Sequence, residues 1–297
     1  MNALVDVVES LTGVGVATLG YSLLEAQAFT TRELTTAVLP SGSNDLRVLH
    51  LSDLHVTPAQ TRKIGWVNSL NELEPDLVVV TGDFLAHQLA VPAVVEALGD
   101  LLQRPGLFVL GSNDYYAPYR KSPFVYFKKK RISIPNSVSL PTGDLVEQLT
   151  AAGWHDLDNA QVQFELNGLS IHARGTDDPH IKRDDYAKVA GAFEQNSFAL
   201  GVTHAPYKRV LKSFENDHAD LVLAGHTHGG QICIPFYGAL VTNCDLPTGQ
   251  AKGLSTFGES AMPLHVSAGI GTSPFTPVRL ACRPEATLLT LRAKTAS

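Results

Sequence analysis

What constrains this chain most is a series of short, β-branched apolar runs, each ending in a cluster of polar residues. Arg47 to Leu51 (RVLHL), Leu77 to Thr81 (LVVVT) and Leu107 to Leu110 (LFVL) read as buried strands. Between the first two, Ile64, Val67, Leu70 and Leu73 share one helical stripe within Thr61 to Leu73, which Glu74-Pro75-Asp76 ends. Val91 to Leu102 repeats the helical pattern before a Pro105-Gly106 turn. A βαβαβ order predicts a layered α/β core with parallel strands and right-handed crossovers. The second half adds Val162 to Leu166 and Leu169 to Ala173, a hairpin across Asn167-Gly168, then Phe198 to Thr203, Leu221 to Ala224, Leu264 to Ala268 and Ala286 to Leu291. Two facing mixed β-sheets flanked by helices use all of these strands.

The chain divides by pattern into residues 1–45, an apolar N-terminal helical segment, and residues 46–297, the folded domain. Within the latter, 115–150 has little strand pattern and is too long for an ordinary connection, which predicts a cap or lid. Leu11 to Leu24 is apolar, but at 14 residues it is short of the roughly 20 that span a bilayer. No Lys or Arg precedes it, unlike a signal peptide. A helix packed on the domain is expected, with contact to a membrane surface as the alternative.

Four polar clusters follow predicted strands: Ser52-Asp53-Leu54-His55, Thr81-Gly82-Asp83, Gly111-Ser112-Asn113-Asp114 and Gly225-His226-Thr227-His228-Gly229-Gly230. His204 follows a fifth strand. Asp53 with His55, and His226 with His228, stand two residues apart, a spacing that points both side chains the same way on extended backbone. Each cluster alone has a plain structural reading, as a helix cap, a turn or a satisfied histidine. Their succession at strand ends, where α/β folds carry their sites, does not. Carboxylate, amide and imidazole donors suit divalent Mn, Fe or Zn. Two such ions about 3.5–4 Å apart would activate a water and neutralise phosphoryl oxygens. Cys233, Cys244 and Cys282 have no CxxC spacing and read as reduced thiols, not a zinc knuckle or disulfide frame. A net charge of −6, without a basic tail, argues against a nucleic-acid partner and so against a nuclease.

In this order the motifs resemble those of the calcineurin-like metallophosphoesterase superfamily, over residues 46 to 292. The tail GGQICIP, then LHVSAGIGTS and Arg283-Pro284-Glu285, looks like a bacterial branch whose members are often membrane-associated, some cleaving lipid-linked phosphodiesters or pyrophosphates. The resemblance implies a β-sandwich flanked by helices and two divalent metal ions. Asp53, His55 and His228 would bind the first ion and His204 and His226 the second, with Asp83 bridging. Asp83, Asn113 and Asp114 are the catalytic candidates. The third motif departs from the family's Gly-Asn-His-Asp or Gly-Asn-His-Glu. It leaves either Ser112 or Asn113 as the ligand, Asn113 being preferred because an amide oxygen is the better donor. No histidine remains there to protonate a leaving group, which favours substrates with good leaving groups or an acid from elsewhere, His87 or Tyr115. A metal-binding scaffold without activity is the alternative.

Phe124 to Phe127 followed by Lys128, Lys129, Lys130 and Arg131 reads either as a lid touching anionic lipid headgroups or as a solvated charged turn. The expected partner is a phosphorylated small molecule or lipid headgroup. The expected location is the cytoplasm, with peripheral contact to the inner face of the membrane as the alternative.

Overall fold

The computed structural model describes residues 2–118 and 138–295, with residues 2–12 described by backbone alone. A helix, α1 (Asn2–Glu25), leads into β1 (Thr30–Leu39) and β2 (Leu46–Leu51). There follow α2 (Thr61–Ser69), β3 (Leu77–Thr81), α3 (Val91–Leu98), β4 (Gly106–Val109), the single turn α4 (Ser112–Tyr115), α5 (Thr142–Ala151) and β5 (His155–Asp156). Then come β6 (Gln161–Leu166), β7 (Leu169–Thr176), β8 (Phe198–Thr203), α6 (Lys208–Asn216) and β9 (Leu221–Ala224). The chain closes with a small pair, β10 (Cys233–Ile234) and β11 (Gly238–Ala239), then β12 (Gly253–Phe257), β13 (Met262–Val266) and β14 (Glu285–Ala293).

Two six-stranded mixed sheets result, in the orders β1-β14-β2-β3-β4-β5 and β12-β13-β9-β8-β7-β6. Strands β2 to β5 run parallel, as do β13, β9, β8 and β7. Period-two alternation divides each strand between two cores. In β3, Leu77 and Val79 face the other sheet, where they join Leu200, Val202 and Leu223, while Val78 and Val80 pack under the helices with Val67, Val94 and Leu98. On the far side α6 lays Val210, Leu211 and Phe214 over Val222 and Leu264. Each such fully buried aliphatic side chain contributes roughly 1.5–3 kcal/mol. The same alternation turns His50 of β2 toward the second sheet with Val48, and there it meets His265 of β13.

Three expectations need correction. The N-terminal helical segment does not extend to residue 45, because Thr30–Leu39 is a strand that pairs in parallel with β14 along its length. Its sequence hides this: it lies on the sheet edge, and of its ten residues only Val38 and Leu39 are buried. The region 115–150 is not a cap throughout. Leu145 and Leu149 of α5 are buried in the helix-side core, and backbone bonds from Ala117 N to Val138 O and from Leu140 N to Tyr115 O close the base of the excursion. Lys128, Lys129, Lys130 and Arg131 lie outside the described residues.

Over its described side chains, residues 13–25, helix α1 does not pack along the domain. Val14 (64% exposed), Val16 (68%), Leu19, Tyr21 and Leu24 (73%) distribute around the whole axis, with no buried stripe. Its last turn is fixed: Ser22 O accepts from Arg279 N, and the Glu25 carboxylate accepts from Ala281 N and Cys282 N. Among the described residues, no helix is long and apolar enough to cross a membrane.

Candidate metal centre

Strands β2, β3, β4, β8 and β9 stop at the same edge, and the polar clusters beyond them converge there. The turns after β2 and β3 are tied together by Asp53 N to Gly82 O and His55 N to Asp83 O, both 2.9 Å. Asp53, His55, Asp83, His226 and His228 all have positive φ, between 43° and 67°. Non-glycine residues avoid this region, and such strain concentrates at functional sites. Glycines let the turns approach closely: a Cβ on Gly225 would overlap Ser52 Oγ, and one on Gly111 would overlap the Asp83 carboxylate.

The result is two overlapping ligand groups. Asp53, His55 and His228 each offer a donor atom within 4.8 Å of the others, and so do Asp53, Asp83 and His204. Asp83 Oδ2 lies 3.5 Å from His55 Nε2 and 3.7 Å from His204 Nε2, between the two groups. His226 Nδ1 lies 3.3 Å from His204 Nε2.

The outward ring nitrogens meet backbone carbonyls. His204 Nδ1 meets Thr81 O at 2.6 Å, His226 Nε2 meets Asn243 O at 3.3 Å and His228 Nδ1 meets Gly271 O at 3.2 Å. A carbonyl can only accept, so Thr81 O calls for the proton on the outer nitrogen of His204, whereas His226 Nε2 and His228 Nδ1 also face donors, Asn243 Nδ2 at 3.3 Å and Arg279 Nη2 at 3.4 Å, which leave either tautomer open. Burial, with a neighbouring histidine or cation in each case, lowers the pKa of His55, His226 and His228 and keeps these rings neutral. For His204, burial pulls downward, but Asp83, Asp178 and Asp53 outweigh it and raise the pKa to about 9. Burial, reinforced by Asp53, raises Asp83.

A cation fits this site. Asp53 Oδ1 and His55 Nδ1 are buried without a hydrogen-bond partner, and His55 Nε2 faces His228 Nε2 at 3.2 Å. Bringing Asp53 and Asp83 together in a dry site is costly without positive charge between them.

In the third motif it is Asn113, not Ser112, that reaches Asp83: its backbone N–H donates to Oδ1 (2.8 Å) and its amide Nδ2 to Oδ2 (2.7 Å). Asp114, expected as a catalytic residue, is instead turned into the backbone. Its Oδ2 accepts from Asp83 N and Gly111 N, and its Oδ1 from Leu85 N. Neither candidate acid is suited to the role. His87 is exposed with Nδ1 accepting from Leu89 N, and Tyr115 donates to Asp158 and Asp177, burial and those carboxylates raising its pKa.

Sequence reasoning missed several neighbours. Asp178, fully buried, and His180 follow β7; the His180 ring lies 4.4 Å from that of His226, and its Nδ1 meets Tyr207 OH at 3.0 Å. Two acidic residues and a histidine just beyond a strand (Asp177-Asp178-Pro179-His180) were the available signal. Lys63 and Arg279 carried none: they are buried cations that donate to backbone carbonyls of the ligand turns, Leu54 O and His55 O for Lys63, and Ala268 O, Gly269 O and Gly271 O for Arg279.

The calcineurin-like phosphoesterase family matches residues 46–230, and the chain belongs to that family. It is therefore a metal-dependent phosphoesterase that acts on a phosphorylated substrate with divalent metal ions. Relatives include the uncharacterized metallophosphoesterase YkuE of Bacillus subtilis, 26% identical over 92% of this chain and 89% of its own. A bovine transmembrane protein with metallophosphoesterase domain is 28% identical over 90% of this chain and 57% of its own. Among solved structures, TT1561 of Thermus thermophilus aligns over 76% of this chain and 91% of its own, with 10% identity and a TM-score of 0.41.

Proposed function

We propose that the chain holds two divalent cations, Mn, Fe or Zn, and hydrolyses a phosphodiester or pyrophosphate. Asp53, His55 and His228 would hold one ion. Asp83, His204, His226 and Asn113 would hold the other, with Asp83 shared. The observation that carries this reading is the convergence of donor atoms from Asp53, His55, Asp83, His204 and His228 in a buried cluster where Asp53 Oδ1 has no hydrogen-bond partner. When bound, the metals supply a water of lowered pKa and charge to neutralise phosphoryl oxygens.

The chain's own part is positioning. Asn113 hydrogen-bonds Asp83 through its amide nitrogen, which leaves its amide oxygen for the ion. It can orient a phosphoryl oxygen but cannot give up a proton. A leaving group of low pKa, such as a phosphate or an activated aryl alcohol, needs no proton. That favours pyrophosphates and activated diesters over alkyl monoesters. The exposed apolar α1, held to the site's frame through Ser22 and Glu25, favours a substrate presented at a lipid surface.

The test is hydrolysis of a nucleoside diphosphate-linked ester, a bis-aryl diester and an aryl monophosphate with Mn²⁺, each also in lipid vesicles. Preference for the first two, abolished by Asp83→Ala, is expected. Metal binding without turnover of any of them would make the chain a metal-binding scaffold instead.

A further inference from the structure

Behind His228, on the side away from the converging donor atoms, lie two cysteines that the phosphoesterase chemistry does not use. We propose that Cys233 and Cys282 form a peroxide-sensitive dithiol whose closure to a disulfide displaces the turn carrying His228. The juxtaposition is built by the fold. Backbone bonds from Leu280 N to Gln231 O and from Cys233 N to Leu280 O zip the two segments together. The two sulfurs then share one acceptor: Cys233 Sγ lies 3.2 Å and Cys282 Sγ 3.5 Å from Gly229 O. Cys282 Sγ also lies 3.3 Å from His228 O. Both thiols sit in a small cluster with Ala239, Ala251 and Ala268.

Cys282 is in cationic company, with Lys252 Nζ and Arg279 Nη1 each 3.9 Å from its sulfur. Lys252 is half-buried, and both thiols are buried. Thiols beside Lys and Arg are those that oxidants select.

The chemistry balances with hydrogen peroxide as the named oxidant. One sulfur attacks a peroxide oxygen, the O–O bond breaks, and water leaves with the thiol's proton, giving a sulfenic acid. The second sulfur displaces hydroxide from that group as the S–S bond forms, and its own proton completes a second water. Two electrons pass from the sulfur pair to one peroxide.

Closure has a mechanical consequence. Thiols hydrogen-bond Gly229 O and His228 O, and a disulfide has no S–H to give. The S–S bond is about 2 Å long, so the two sulfurs must also draw together beneath a turn held at positive φ at His228 (49°) and Gly229 (61°). Outer-shell partners of a metal ligand typically matter about 10–100-fold in affinity. About tenfold weaker binding of the ion at Asp53, His55 and His228 is the expected size. This second half rests on the metal-centre reading, whereas the disulfide itself does not.

The experiment treats the full-length protein with hydrogen peroxide, then blocks remaining thiols and maps the peptides by mass spectrometry. Metal content and Mn²⁺ affinity are measured before oxidation, after it, and after dithiothreitol. The expected result is loss of two of the three thiols, a Cys233–Cys282 linked peptide, a free Cys244, and metal affinity that falls and recovers on reduction. Cys233→Ala and Cys282→Ala should each abolish both the link and the response. Three titratable thiols after peroxide, or a link through Cys244, overturns the proposal. A Cys233–Cys282 link with unchanged affinity overturns its coupling to His228. A protein that binds no metal in any state defeats the metal-centre reading, while the peptide map still decides the dithiol.

Discussion

Asp114 separates a positioning carboxylate from a metal ligand, and its replacement can be worked from the structure. The side chain is fully buried, with two backbone donors on Oδ2 (Asp83 N at 2.8 Å, Gly111 N at 2.9 Å) and one on Oδ1 (Leu85 N at 3.0 Å). In Asp114→Asn, the amide oxygen can keep the first pair, but its NH₂ then faces the Leu85 N–H, donor against donor. One bond to a carboxylate is lost and one buried N–H is orphaned, a cost of about 2–4 kcal/mol. For a chain of this size that lowers Tm by roughly 4–8 °C, taking about 2 °C per kcal/mol. The assay is thermal unfolding by circular dichroism in excess chelator, so that metal binding cannot mask the effect. Asp83→Asn is the comparison. Asp83 is raised by burial and by Asp53, so neutralising it relieves repulsion, and its Tm in chelator should stay near wild type while metal binding is lost. If Asp114→Asn melts with wild type, or loses metal as Asp83→Asn does, the positioning argument is wrong.

Three further outcomes are expected. Gly225→Ala places a methyl group onto Ser52 Oγ, which holds Asp53 Oδ2 at 2.5 Å, so it should cost about 1–3 kcal/mol and weaken metal binding; an unchanged urea midpoint would refute it. The buried pair His50 and His265, bonded through their Nδ1 atoms at 2.8 Å, is kept neutral chiefly by burial, His265 titrating at about 3. A depressed folded pKa gives stability that is full above pH 6.5 and lost as pH falls toward 3. His265→Leu should therefore flatten the acid limb of urea stability by up to about 1.4 kcal/mol per pH unit, and an unaltered limb would count against it. Asn113→Ala should lower kcat on activated diesters about tenfold or more while leaving dependence on leaving-group pKa unchanged; a steeper dependence would show that Asn113 was assisting proton transfer.

Much of the fold was legible because buried parallel strands announce themselves: LVVVT and FALGVT match β3 and β8 residue for residue. The edge strands β1 and β12 do not, although β6, also at an edge, was legible through its hairpin turn. In β1, TTRELTTAVL is half polar because one sheet neighbour and solvent surround it, and β12 has the same exposed character. The candidate ligands were readable for a different reason: donor residues placed just after buried strands have few other uses. Their supports were not, since a buried lysine or arginine bonded to carbonyls, as Lys63 and Arg279 are, looks in sequence like any surface cation. Asp114 misled because type and proximity to Asn113 cannot reveal which way a carboxylate turns within a one-turn helix. The apolar N-terminus fixed that α1 is a helix but left its surroundings open, because residues apolar on every side give no face to dock.

The most direct test of the central claim is metal stoichiometry, by mass spectrometry of the native protein after Mn²⁺ loading, in wild type, His228→Ala and His226→Ala. Two ions in the wild type, with each variant losing a different one, are predicted. No bound ion in the wild type, or two ions retained in both variants, would contradict the assignment of this site as a dinuclear metal centre.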